Sequence, residues 1–276
     1  MKGFTVKMRR IAVVIILILT SIYPGSGEPS ENGSTHALIV TGINKNVKDR
    51  QTKDKAVVDL RDFFLNNTSV KGDRLAVLAN SRSLVRDDSQ VSTAENLKKW
   101  IDSFAARIEA GDRFIFYYVG QANIAGEKLR LNLPGADITH EQLAEWLSGI
   151  KASSLLIVLD CPGAGLAVET LAGPERVVIA GCTAEQPYST RFSEYFVPAL
   201  ADSQSDADND GKVSLLEAFT SASRKLDDFY RRMGLLKTET PVLDDNADGR
   251  ASDQPWKHEL DGSDGLAASK FFFSDQ

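Results

Sequence analysis

Leu155-Leu156-Ile157-Val158-Leu159-Asp160-Cys161-Pro162-Gly163-Ala164-Gly165 runs five apolar residues straight into a glycine-rich turn. Consecutive aliphatic residues need cover on both faces, which is the environment of a strand inside a parallel sheet. Open parallel sheets carry their chemistry just beyond the carboxyl ends of the strands. One of the chain's two cysteines, Cys161, stands at such an end. The next residue, Pro162, offers no side-chain group for chemistry.

Outward from this stretch, strand and helix signals alternate. His36 to Ile43 is aliphatic and reads as a first strand. Ala56, Val57, Leu60, Phe63 and Phe64 recur at helical spacing, and Arg74 to Leu78 reads as a second strand. Ser92-Thr93-Ala94-Glu95 has the form of a capping box, opening a helix whose apolar face is Leu97, Trp100, Ile101, Phe104 and Ile108. Phe114 to Val119 is a third strand, buried on both sides. Thr139 and Gln142 start another helix, Leu155 to Leu159 is the fourth strand, and Arg176 to Ala180 the fifth. A short helix from Phe192 to Leu200 leads through an acidic loop to a longer helix ending near Tyr230. This order predicts an α/β fold: a three-layer sandwich with a mostly parallel sheet and helices on both faces.

The N-terminus reads differently. Lys2, Lys7, Arg9 and Arg10 precede an apolar run, Ile11 to Tyr23, and then Pro24-Gly25-Ser26-Gly27. Basic, apolar and small-residue zones in that order describe a secretory signal peptide over 1–27, with residues 28–35 as a polar leader. The apolar run is shorter than the ~20 residues that span a bilayer. A membrane contact is therefore expected only if the segment stays uncleaved. Losing the four cations takes the formal charge from −6 to about −10. No basic stripe is present, which argues against a nucleic-acid partner. The expectation is an exported, periplasmic or secreted, acidic protein.

Two strand ends carry a motif together: Val119-Gly120-Gln121-Ala122-Asn123 and Asp160-Cys161-Pro162-Gly163-Ala164-Gly165. In this pairing the chain resembles the caspase and legumain superfamily of cysteine peptidases, in which the first end carries a Gly-His-Gly type motif and the second an Asp-x-Cys-x-Ser-Gly type motif. Ala37-Leu38-Ile39-Val40-Thr41-Gly42 resembles the family's opening strand, and Arg176-Val177-Val178-Ile179-Ala180 the strand after the nucleophile. Asp206 to Phe219 and Thr238-Glu239-Thr240-Pro241-Val242-Leu243-Asp244-Asp245 resemble bacterial legumain-like members. The likeness covers roughly residues 36–250 as one domain, followed by an irregular tail, 251–276.

The resemblance implies a thiol nucleophile and an imidazole base, and this sequence has neither in place. Gln121 stands where the histidine belongs, and an amide cannot take and return a proton near pH 7. Pro162 stands where the cysteine belongs, and Ala164 where serine is usual. The expectation is an inactive homologue that binds a peptide or protein, or serves as a structural module. The alternative is an active cysteine endopeptidase using Cys161 in a shifted geometry. A third reading is an unrelated α/β protein whose Gly163 and Gly165 let a backbone loop hold an anion.

The cysteines leave three options open. Cys182 follows the fifth strand as Cys161 follows the fourth, so neighbouring strands would set them at similar height. A Cys161–Cys182 disulfide suits an exported chain, and closing a loop of about 21 residues would stabilise by ~3 kcal/mol. The other options are two buried thiols and a nucleophilic Cys161.

Asp206-Ala207-Asp208-Asn209-Asp210-Gly211-Lys212-Val213-Ser214-Leu215-Leu216-Glu217 fits a twelve-residue EF-hand loop. Calcium would take carboxylates from Asp206, Asp208 and Asp210, the backbone carbonyl of Lys212, a direct or water-bridged contact from Ser214, and two oxygens from Glu217. The competing reading is a metal-free turn in which Ser214 and Glu217 form a capping box. Asp244-Asp245-Asn246-Ala247-Asp248-Gly249 begins similarly, but its twelfth position is Pro255, so it reads as a turn or a weak partial site.

Overall fold

A computed structural model of the chain describes residues 33–85, 87, 90–257 and 262–273, with Met1 and Gly3. Apart from those two residues, the expected signal segment 1–27 lies outside the described residues, as does His258. No described helix is long and apolar enough to cross a membrane.

The elements in chain order are β1 (Thr35–Thr41), α1 (Val47–Asn67), β2 (Leu75–Leu78), α2 (Ala94–Ala105), β3 (Arg113–Val119), β4 (Ala122–Ala125), β5 (Lys128–Leu131), β6 (Ile138–Thr139), α3 (His140–Leu147), β7 (Ser154–Asp160), α4 (Val168–Leu171), β8 (Arg176–Ala180), α5 (Phe192–Ala199), α6 (Leu215–Met233) and β9 (Val242–Asp244). The main sheet has the order β2-β1-β3-β7-β8-β9. Its pairs are parallel except the last, where β9 runs antiparallel to β8. The expected α/β three-layer sandwich is thus the architecture found.

Side-chain alternation divides the core into two layers. Leu38, Val40, Phe114, Phe116, Leu155, Ile157 and Leu159 face α2, α3 and α4. Ala37, Ile39, Ile115, Tyr117, Leu156 and Val158 face α1, α5 and α6. The aliphatic run 155–159 therefore has no polar face because helices cover both sides of it.

Local signals explain the helix ends. Ser214 and Glu217 form a capping box at the start of α6, and Gly234, at φ 62°, closes it in the left-handed conformation. Thr139 and Gln142 form the same box at α3. At α2 the cap is Thr93, whose hydroxyl accepts from the Asn96 N–H, and not Ser92 as the sequence suggested. The Ser92 hydroxyl is buried without a partner.

Two features were not foreseen. Residues 122–139 build a small antiparallel sheet, β4-β5-β6, beside the strand ends. The described residues after 250 belong to the same core. Phe273 is buried against Phe63 and Phe64 of α1, with the Phe63 and Phe273 rings 5.6 Å apart, and Phe271 packs on Phe273. Arg113 Nη1 donates to the Phe272 carbonyl at 2.5 Å, tying the segment to the foot of β3.

Candidate functional site

Parallel pairing brings the strand ends to one edge. Thr41 is level with Val119, Val119 with Asp160, and Leu159 with Ala180. Just past this edge lie Gly42, Gly120-Gln121, Cys161-Pro162 and Gly181-Cys182. The edge opens into a cavity of about 290 Å³ between the start of α1 and the start of α5. Four cations line it (Lys45, Lys48, Lys53 and Arg191) against the carboxylates Asp49, Asp160 and Glu194.

Alternation decides which residues can act there. Asp160 points to the α1/α5 side. Its Oδ2 accepts from the Ser193 N–H at 2.9 Å and from the Ser193 hydroxyl in a very short contact. Ser193 Oγ in turn meets the Tyr117 hydroxyl at 2.7 Å. The other oxygen, Oδ1, is buried without a partner. It has room only because residue 181 is glycine, where a Cβ would come within 2.7 Å of it.

Cys161, one residue on, points the opposite way. It is fully buried among the side chains facing α2, α3 and α4. Burial pushes its thiol pKa well above the ordinary value, and Cys182 and Asp160 add to the shift. A buried, protonated thiol on the far side of the sheet from the cavity is a poor nucleophile.

The expected disulfide is not formed, and both cysteines are free thiols. The reason is the direction of Cys182 Sγ. It donates to the Cys161 carbonyl at 3.3 Å and sits 3.4 Å from the Gln186 carbonyl. Burial raises the Cys182 thiol to about 12, so it stays protonated as a donor. Alkylation of the denatured, unreduced protein should therefore label two thiols, whereas none labelled means the chain bridges them.

Gln121 bridges two residues that line the cavity. Its Nε2 donates to Asp49 Oδ2 at 3.2 Å and to Ser189 Oγ at 2.9 Å. The amide thus joins α1 to the loop after β8. Pro162 is buried, and Gly163, at φ 67°, turns the chain away from β7. The amides of Gly163, Ala164 and Gly165 donate to the carbonyls of Gln186, Cys161 and Cys182, so they do not form an open anion cradle.

No imidazole serves this edge among the described residues. His36 begins β1 at the opposite edge, 3.1 Å from Asp112 Oδ2, and burial lowers its pKa. His140 begins α3, where Nδ1 accepts from the Leu129 N–H at 3.2 Å.

The sequence reading overlooked three contributors. Lys53 is buried in α1 and donates to the Gly120 carbonyl at 3.1 Å, with Asp49 Oδ1 3.4 Å away. Ser193 holds Asp160. Glu239 is 0% exposed and accepts from the Arg191 N–H at 2.6 Å and the Tyr230 hydroxyl at 2.8 Å. Burial, reinforced by Asp160, raises its pKa to about 7.

The acidic loop lies elsewhere, between α5 and α6. Oxygens of Asp206, Asp208 and Asp210 all come within 4.8 Å of one another. Asp206 Oδ2 accepts from the Gly211 N–H at 3.0 Å, while its Oδ1 is buried without a partner. Ser214 and Glu217 are engaged in the capping box, and Glu217 Oε1 also accepts from the Ala207 N–H at 2.7 Å. Lys212 has its ammonium 5.9 Å from the Phe272 ring centroid. Three of the six expected ligands therefore converge. Ser214 and Glu217 are committed to closing the loop onto the helix.

No family profile matches the sequence, and no curated protein matches it. Among solved structures the chain is similar to the crystal structure of drICE, at 12% identity and a TM-score of 0.44, over 78% of this chain and 89% of that one.

Proposed function

We propose that this chain is an exported caspase/legumain-like domain that has lost peptidase chemistry and uses its strand-end cavity to hold a peptide or protein segment. The observation that supports this most is the pair Gln121 and Pro162 at the two dyad positions of the resembling motif. The amide is already spent on Asp49 and Ser189. Neither residue can cycle a proton or form an acyl intermediate. What remains is a cleft lined by charges of both signs, Asp160 among them. Such a cleft suits a ligand that brings its own donors, such as a peptide backbone or a basic side chain.

The reaction that a complete dyad would perform stops here at binding. Lys53 fixes the Gly120 carbonyl, Ser193 fixes Asp160, and Gln121 holds the two walls together. These contacts preorganise the walls without supplying a nucleophile.

Within the same reading, Asp206, Asp208 and Asp210 hold calcium, with Lys212 adding a backbone carbonyl, Ser214 a direct or water-bridged contact and Glu217 its carboxylate after leaving the capping box. Affinity is expected at about 10⁻⁴–10⁻³ M, as in extracellular modules.

The test is a mixed peptide library incubated with the purified chain. Peptides should be retained and recovered uncut, and retention should fall at least tenfold in Asp160→Asn (on the order of 1.4 kcal/mol). Cleavage of library members, with Cys161 trapped as an acyl adduct, would show an active peptidase instead. Equal retention by Asp160→Asn would remove the cavity from the mechanism.

A further inference from the structure

The end of β9 holds a carboxylate that the rest of the molecule does not explain. Asp244 is 0% exposed, and neither of its oxygens has a hydrogen-bond partner. A buried carboxylate in that state is costly unless it is protonated or meets a cation. It faces the turn that follows it, where the backbone amides of Ala247, Gly249 and Arg250 approach it without closing a hydrogen bond of full geometry. In that turn Ala247 and Gly249 take positive φ, 67° and 73°. Asn209 and Gly211, at the same offsets in the acidic loop 206–217, do likewise, at 60° and 89°.

By sequence, Pro255 at the twelfth position makes this a turn or a weak partial site. The fold supplies what the local sequence lacks. Asp264, 7% exposed, reaches the turn from the later segment, where its Oδ1 accepts from the Asp245 N–H at 3.1 Å. Asp245 itself is consumed as a clamp, accepting from the Gly265 and Ala268 N–H groups at 2.7 Å each. Asn246 Nδ2 donates to the Gly262 carbonyl at 2.7 Å, which leaves its oxygen on the turn side, accepting from Asp248 N–H.

We propose that Asp244, Asn246, Asp248 and Asp264, with the Arg250 carbonyl, form a second calcium site that pins the segment 262–273 to the edge strand. The ligands are all oxygens, the chemistry calcium prefers. Asp244, Asp245 and Asp248 all set charge of its own sign against Asp264. A divalent cation relieves that repulsion. The oxygens of Asp244, Asp248 and Asp264 do not all come within 4.8 Å of one another, as those of the acidic loop do. Binding draws Asp264 inward.

The test uses the full chain, stripped with a chelator and titrated with calcium chloride by calorimetry. The unsubstituted chain should bind two ions. The variant Asp208→Asn/Asp210→Asn, which silences the acidic loop, should still bind one. Adding Asp248→Asn, an exposed turn position that leaves the fold intact, should weaken that remaining ion at least tenfold. Adding Asp244→Asn instead should do the same. Calcium should also slow amide exchange across 262–273 in the Asp208→Asn/Asp210→Asn chain. Absence of calcium heat in that chain, or an affinity unmoved by Asp248→Asn, overturns the site. Either result leaves the peptide-binding reading of the cavity untouched, because the two share no residue.

Discussion

Phe273→Ala should lower the unfolding free energy by about 3–5 kcal/mol, the usual cost of emptying a buried phenylalanine site. Phe273 is 5% exposed and its ring packs against Phe63, Phe64 and Phe271. The cavity would open between α1 and the last described residues, where the surrounding helices cannot close without losing their own contacts. Chemical denaturation measures this directly, with a lower midpoint and an unchanged slope expected. A change under about 1 kcal/mol would mean the aromatic segment rests on the core without being part of it.

Glu239→Gln should stabilise the protein at pH 8 by about 3 kcal/mol and flatten its stability between pH 4.5 and 7. The side chain is fully buried, and its pKa rises from 4.5 to about 7 on folding. The folded state therefore holds a proton in that window that the unfolded state has released. Stability falls as pH rises through it, and the full penalty is present above pH 7. Glutamine keeps an oxygen for the Arg191 N–H and removes the charge. Thermal melts at pH 5 and pH 8 should show a gap in the unsubstituted chain that narrows in the variant. An equal gap in both would assign the pH dependence to other groups, such as Asp264.

The sheet was legible wherever burial left no polar face. The aliphatic run of β7 and the aromatic run of β3 specify interior strands, because nothing else accommodates apolar residues on both sides. The β4-β5-β6 sheet was not legible. Its strands are short and partly exposed, and in the sequence Ala122-Asn123 reads only as the tail of a strand-end motif. Within the site, Gln121 and Pro162 could be placed by motif order alone. Lys53 could not, since it sits in a helix rich in charged residues and only the tertiary fold buries it. Glu239 is equally silent, flanked by threonines in a segment without periodicity. The direction of Cys161 was available in principle. Leu159 and Cys161 share a face, so Asp160 must take the other one. The disulfide expectation failed on a finer point, because equal height on adjacent strands does not aim two sulfurs at each other.

The aromatic closure of α1 has a consequence for biosynthesis. Phe63 and Phe64 are translated about 210 residues before Phe273, which at ~5–20 residues per second is a wait on the order of 10–40 s. During that interval the growing polypeptide lacks the ring that covers Phe63 and Phe64, and that end of α1 is completed only once residue 273 has been made.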